Sequence, residues 1–310
     1  MVVQCDEFLH AGGPAADWEE RFRLNFSDKK TKVFGVVDAV IHPSAGECVF
    51  EWFLCIDGNP YSSLETVALV CKEGGKTLGS KNTKFKIGGK ESSEFILKNA
   101  HLEAHLTIHN FYSSYDFPVA PGRPSEPRRE ELEGMLWKRY EQRCKVSGDI
   151  VFKDGKKKKI EAYGEREHLW GNMLWKSLHV SSRYYMQFKD LSISLSYLNF
   201  EGTIVSNGFF SRKSGNIPVV GIELEHLEID RVGKLKLSES SYLDSQDDRD
   251  LIVTSPLYQC PVVDIRGGKK KYLRFRNFCE FTIIGANKKG VGFEEHIILP
   301  ELVKSYASDK

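Results

Sequence analysis

The sequence predicts an all-β protein built as two antiparallel barrels in tandem, and three observations carry that expectation. Apolar and polar residues alternate with period two through most of the chain. Turn signals such as Asp57-Gly58-Asn59, Gly74-Gly75 and Asp154-Gly155 separate the alternating runs. Long stretches of helical periodicity are hard to find. At 310 residues the chain suits two units of roughly 150 residues each better than one.

Taken in order, residues 33–41 and 48–56 read as strands, and the Asp57-Gly58-Asn59 turn leads into a third over 61–72. Gly74-Gly75 and Gly88-Gly89 bracket another, and residues 94–97 add a short one. Residues 101–109 alternate almost without fault, with Leu102, Ala104, Leu106 and Ile108 sharing one face. Six or seven strands before residue 110 are enough to close a small barrel. Pro118, Pro121, Pro124 and Pro127 then interrupt the pattern, because proline cannot donate to a ladder. The expected organisation is a first domain over 1–117, a proline-rich linker over 118–134 and a second domain over 135–310. One or two helical turns are expected over 128–134. Further strands are expected over 144–152, from there through Gly164, and over 183–188, 191–199, 203–211, 219–230, 233–240, 251–254, 272–284 and 291–298.

Composition narrows the function classes. Hydrophobic residues make up 41% and charged residues 28%, an ordinary globular balance. Lys and Arg total 44 against 43 Asp and Glu. No single-sign field is available to attract nucleic acid, so no nucleic-acid partner is expected. The opening residues lack a basic, apolar leader, and no apolar run approaches about 18 residues, so no membrane-spanning segment is expected. Seven cysteines without a CxxC pair predict reduced thiols and a cytoplasmic protein. No GxSxG, P-loop or dinucleotide fingerprint occurs, so no cofactor is expected.

His101, Glu103, His105 and His109 share the face opposite Leu102. Histidines four residues apart on a strand are separated by about 13 Å, too far for one ion, so no metal is expected there. The acidic stretch from Asp244 to Asp250 lacks the glycine and terminal glutamate of a calcium loop. The lysine runs 156–159 and 269–271 read as solvated hairpin tips, with transient contact to an anionic membrane as the alternative.

The most informative stretch is IEAYGEREHLWG at 160–171. With strand period, Ile160, Ala162, Gly164, Arg166, His168 and Trp170 share one face, and Glu161, Tyr163, Glu165, Glu167 and Leu169 share the other. A buried Arg or His needs a partner to offset desolvation. Two settings satisfy that requirement. One is a ligand pocket with apolar walls and a few convergent polar groups. The other is a bracing cluster in which Arg166 pairs with a nearby carboxylate.

The stretch YGEREHLWG at 163–171 resembles the signature of a superfamily of two-domain lipocalin-like (calycin-type) proteins. That superfamily includes carotenoid hydratases (hydroxyneurosporene synthases), kievitone hydratase, fungal decalin-forming Diels–Alderases and AttH-like proteins. Arg166, His168, Trp170 and Gly171 match its pattern, while Glu167 stands where Asp is usual and Leu169 where Ser is common. WEERFRLNFSD at 18–28, Tyr140-Glu141-Gln142 with Gly148, and GVGFEEH at 290–296 are similar to other parts of the family.

The resemblance implies redox-free chemistry on a small apolar ligand, an isoprenoid, polyene, polyketide or lipid, by a lyase or isomerase of hydratase, cyclase or pericyclase type. It places Arg166, His168 and Trp170 as catalytic residues, with Tyr197, Asn199, Tyr185 and Glu167 as substrate-binding neighbours. His168 would exchange a proton near neutral pH, Arg166 would hold a carbonyl, and the Trp170 face would stabilise positive charge. In the hydratase pattern a Tyr-x-Asp downstream supplies the acid. Here Tyr197-Leu198-Asn199 puts an amide at that place, which shifts the acid role to His168, Glu165 or Glu167. The competing expectation is a non-catalytic lipid or isoprenoid carrier. A third is a structural β protein whose Arg–His–Trp cluster only braces a junction.

Overall fold

The computed structural model describes residues 4–10, 12–13, 17–69, 74–88, 92–117, 137–173, 175–229, 235–244, 249–267 and 270–306. The expected linker over 118–134 and its helical turns lie outside these residues. The described chain divides into two compact units. Residues up to 117 together with 137–173 form the first, and residues from 175 onward form the second. Each is a large, curled antiparallel sheet.

The first unit contains β1 (Trp18–Asp28), β2 (Val33–His42), β3 (Glu47–Ile56), β4 (Asn59–Ala68), β5 (Thr77–Gly79), β6 (Thr83–Lys86), β7 (Ser92–Lys98), β8 (Leu102–Asn110), β9 (Tyr115–Asp116), β10 (Trp137–Phe152) and β11 (Lys157–Asn172). Their order is β4-β3-β2-β1-β11-β10-β8-β7-β6-β5, with β9 alongside β10. The path starts and ends at β4 and β5. Side chains link these two ends, since Ser80 and Asn82, between β5 and β6, both donate to Glu65 of β4.

This arrangement corrects the expected domain boundary near residue 135. The long hairpin of β10 and β11 completes the first sheet by inserting between β1 and β8. The Arg-x-His-x-Trp motif therefore belongs to the first unit. A strand's partners are set by sheet hydrogen bonding, and that pairing leaves no mark in local periodicity.

The alternation works as expected where a strand has one wet face. In β8, Leu102, Ala104, Leu106 and Ile108 are buried while His105 and His109 are exposed, and His105 Nε2 meets Glu103 at 2.8 Å. Both central residues of the Asp57-Gly58 turn carry positive φ, 52° and 82°, as a tight hairpin between β3 and β4 requires. Strand β1 differs because both of its faces are buried. Its even positions Phe22, Leu24 and Phe26 join the apolar interior, and its odd positions, Glu19, Arg21, Arg23, Asn25 and Ser27, are charged or polar. Each fully buried large apolar side chain contributes roughly 1.5–3 kcal/mol.

The second unit orders its strands as a ring. These are β12 (Leu178–Gln187), β13 (Ser192–Phe200), β14 (Thr203–Arg212), β15 (Gly215–Ile229), β16 (Leu235–Asp244), β17 (Arg249–Gln259), β18 (Val263–Gly267), β19 (Lys270–Ile283) and β20 (Lys288–Ile298). β17 pairs with β19 as well as β16, closing eight strands into a barrel with β18 outside the ring. A short helix, α1 (Pro300–Tyr306), follows. No helix among the described residues is long and apolar enough to cross a membrane.

Glycine is required where β11 crosses β1. A Cβ at Gly164 would lie 2.3 Å from the Asn25 carbonyl oxygen and 3.0 Å from the Phe26 Cβ, and backbone cannot move aside cheaply. Gly164→Ala should lower unfolding stability by about 1–3 kcal/mol, read from the urea midpoint. The exposed control Lys159→Ala should stay within about 0.5 kcal/mol. Equal midpoints for the two variants would show that the β1–β11 contact tolerates a side chain.

Candidate functional site

Register places the motif inside the first barrel. Arg166 lies opposite Leu24 of β1 and Gln142 of β10, and His168 lies opposite Phe22 and Tyr140. Trp170 faces Glu20 in the same way. These side chains form one polar wall of an otherwise apolar interior.

The partners that complete this wall come from the N-terminal segment, residues 4–10, which opens with a single 3-10 turn (Gln4–Glu7). Glu7 receives a two-pronged contact from Arg166, Nη1 to Oε2 at 2.9 Å and Nη2 to Oε1 at 3.1 Å. Tyr140 donates its hydroxyl to Glu7 Oε2 at 2.8 Å. Arg166 also donates to Gln142 Oε1 through Nε at 2.8 Å and Nη2 at 2.5 Å. Burial pushes the Glu7 carboxyl upward, but the Arg166 and Tyr140 contacts outweigh it and hold the group below its ordinary value. Burial drives the Tyr140 phenol far upward, so Tyr140 remains a hydrogen-bond donor.

His168 is fully buried between two acceptors. Its Nδ1 lies 2.7 Å from the Asp6 carbonyl oxygen, and its Nε2 lies 2.8 Å from Glu20 Oε1. The carbonyl fixes a proton on Nδ1. A second acceptor pair at 2.8 Å needs a proton on its line, so His168 and Glu20 act as one proton-sharing pair. Burial pulls the imidazole toward its neutral form, and Glu20 opposes that pull. Burial likewise raises Glu20, and hydrogen bonds from His10 and His168 bring it below the ordinary carboxylate value. His10 approaches Glu20 through Nδ1 at 2.9 Å and through its backbone N–H.

Aromatic rings enclose the pair. The Phe22 ring stacks on His168 at 3.9 Å between centroids, and His10 stacks on Trp170 at 4.2 Å. Phe85 and Phe95 continue the stack from Phe22 into the core. Between these rings and the polar wall of Tyr140, Arg166 and His168 lies a cavity of about 20 Å³. That is room for one water, which needs about 10–15 Å³, and far less than a drug-sized ligand fills.

The remaining predicted residues lie elsewhere. Glu167 projects from the opposite face of β11, where its Oε2 lies 4.0 Å from Arg139 Nε. Glu165 shares that face. Tyr185, Tyr197 and Asn199 belong to β12 and β13 of the second unit. Tyr197 packs against that barrel's own apolar cluster. Asn199 caps a turn by accepting the Gly202 N–H at 2.9 Å. Within the first unit, Arg166, His168 and Trp170 come together on one face of β11.

Sequence reasoning passed over Glu7, His10, Glu20, Tyr140 and Gln142. One signal was present, since Glu20 interrupts an otherwise apolar run of Trp18, Phe22, Leu24 and Phe26 on one face of β1. His10, Glu20 and His168 each present a ligand atom within 4.8 Å of the others, a set able to hold a divalent ion. His10 Nδ1 and His168 Nε2 both meet Glu20 Oε1 already, at 2.9 and 2.8 Å. The second barrel encloses its own buried set. Glu294 accepts from Ser238 at 2.8 Å and from Asn277 at 2.9 Å, and His296 meets Ser182 at 2.9 Å.

Acid should loosen this site in a defined window. Glu7 and Glu20 sit below their ordinary value of 4.5. The stability they contribute is therefore complete above that value and is lost as pH falls through their folded values. The urea midpoint should hold from about pH 7 to about pH 5 and fall progressively below that, and Glu20→Gln should reduce the fall. An undiminished drop in the variant would locate the acid sensitivity elsewhere.

Comparison with known proteins agrees with this architecture. A model described as a domain of unknown function (DUF7064) matches residues 4–298. No curated protein matches the chain in sequence. Among solved structures, NE1406 of Nitrosomonas europaea, described as an AttH, aligns with a TM-score of 0.68 at 10% identity, covering 92% of this chain and 94% of that one. CghA with Sch210972 aligns at 0.66 and 12% identity, covering 92% and 89%. Kievitone hydratase from Nectria haematococca aligns at 0.65 and 10% identity, covering 96% and 93%. The chain shares the two-barrel fold of these proteins and belongs to the DUF7064 family.

Proposed function

We propose that the first barrel binds an apolar isoprenoid- or polyketide-like molecule and converts it without redox chemistry, by hydration, cyclisation or isomerisation. The observation that carries this reading is the His168–Glu20 pair, a proton held on a short line beside an apolar, aromatic-walled cavity. A buried pair of this kind can give up a proton to an alkene or enol and take one back, which is general acid–base catalysis. Glu20 takes the place that the sequence left to Glu165 or Glu167, both of which face the other way. Arg166 and Tyr140 supply fixed donors for a carbonyl or oxyanion, with no reorganisation at the moment of reaction. Trp170 offers a ring face for developing positive charge once His10 moves off it. The fold shared with a kievitone hydratase and with CghA supports this reading as an analogy of architecture.

The carrier reading predicts a different outcome in the same assay. Protein purified from its own host should yield a stoichiometric apolar molecule on native mass spectrometry and organic extraction. Incubated with that molecule or its biosynthetic precursor, the wild type should form product. His168→Gln and Glu20→Gln should retain the ligand and lose roughly 10²–10⁴-fold in turnover. Recovery of the ligand unaltered from the wild type would make the protein a carrier. Unaltered turnover in both variants would remove the proton-sharing pair from the mechanism.

A further inference from the structure

We propose that Glu7 stands in for the head group of the ligand. The site takes an apolar molecule bearing a carboxylate or a comparably flat oxyanion, and residues 4–10 withdraw when it enters. This inference rests on the reading of the first barrel as a ligand site, and it names the ligand's class.

Volume supplies the first argument. The cavity beside Arg166 and His168 holds about 20 Å³, so a molecule of more than a few atoms must occupy space that the chain now fills. The segment at residues 4–10 is the only part of the described polar wall that is not a strand of the sheet. Its contacts include the Gly74 N–H, which donates to the Leu9 carbonyl oxygen at 2.8 Å, and those from Asp6, Glu7 and His10 to Glu20, Tyr140, Arg166 and His168.

Chemistry supplies the second. This segment presents a carboxylate at Glu7 and, two residues on, a buried leucine that joins the core cluster. It thus has the form of an acid with an apolar tail. Its withdrawal frees the Arg166 fork, the Tyr140 hydroxyl and the His168 Nδ1–H together, three donors converging on one wall. It also leaves the buried guanidinium with neutral partners alone, the Gln142 oxygen and the Tyr140 hydroxyl and ring. A buried cation in that state demands an anion, so a neutral ligand is disfavoured. Planar, two-oxygen anions match the guanidinium fork best.

A fluorescent polyene acid, cis-parinaric acid, and its methyl ester test the proposal on the full chain. The acid should bind the wild type at least about tenfold more tightly than the ester. Glu7→Gln, which weakens the internal competitor, should tighten binding of the acid by about tenfold or more. Hydrogen exchange on the unmodified chain gives a readout that does not depend on any variant folding. The amides of His10 and Gly74 should exchange faster with the acid present and unchanged with the ester. Equal affinities for acid and ester, or an acid that fails to bind Glu7→Gln, would overturn the head-group assignment. Binding of the acid with exchange at His10 and Gly74 unchanged would overturn the withdrawal. Acid preference without any conversion would sink the catalytic reading and keep this one. Turnover of a neutral molecule by a protein with equal affinities would do the reverse.

Discussion

An arginine inside a barrel of phenylalanines imposes a constraint that shapes everything around it. The Arg166 guanidinium keeps its charge at any ordinary pH, and burial without a counter-ion would cost several kcal/mol. Its position on β11 is dictated by the alternation that also turns Ala162 and Ile160 into the core. The chain meets the demand by folding its own N-terminal segment back to deliver Glu7, with Tyr140 and Gln142 completing the shell. The location of the segment, the size of the cavity and the state of His168 all follow from that neutralisation.

The opposite face of the same strands solves a similar problem by other means. Arg23 donates Nε to Asp38 at 2.7 Å with both side chains buried. Arg139 lies 3.7 Å from the Phe117 ring centroid and pairs with Glu141. Arg143 is flanked by the rings of Phe111, Tyr112 and Tyr163. Desolvated guanidinium groups gain from ring faces as well as from carboxylates. Strands β1, β10 and β11 thus carry charge on one face and apolar residues interrupted by the polar wall on the other. Such strands are held to a single register, because a slip by one residue would exchange the two sets.

The two barrels divide the polar chemistry unevenly. In the second, Glu294 and His296 are fully buried, with hydroxyl and amide partners on other strands of the closed ring. Nothing in that set depends on a segment able to withdraw. In the first, Asp6, Glu7 and His10 lie outside the sheet and supply contacts to Glu20, Tyr140, Arg166 and His168. That difference is why function is assigned to the first barrel, although both interiors hold a histidine beside a glutamate.

Much of this was legible in the residues themselves. Period-two alternation marked nearly every strand, and the Arg-x-His-x-Trp spacing alone placed Arg166, His168 and Trp170 on one face. Gly58 and Gly155 marked their turns, since a tight reversal needs positive φ. Alternation also assigned Glu167 to the face away from His168, where the structure puts it, so its place among the substrate-binding residues was at odds with its own strand. What stayed hidden was every relation between distant segments. Glu7 and Arg166 are 159 positions apart, and no local pattern brings them together. The assignment of 137–173 to the first barrel and the Glu20–His168 pair are of the same kind. Local sterics and solvent contrast act within a few residues and write themselves into periodicity, whereas strand pairing and charge compensation are settled only when the sheet closes.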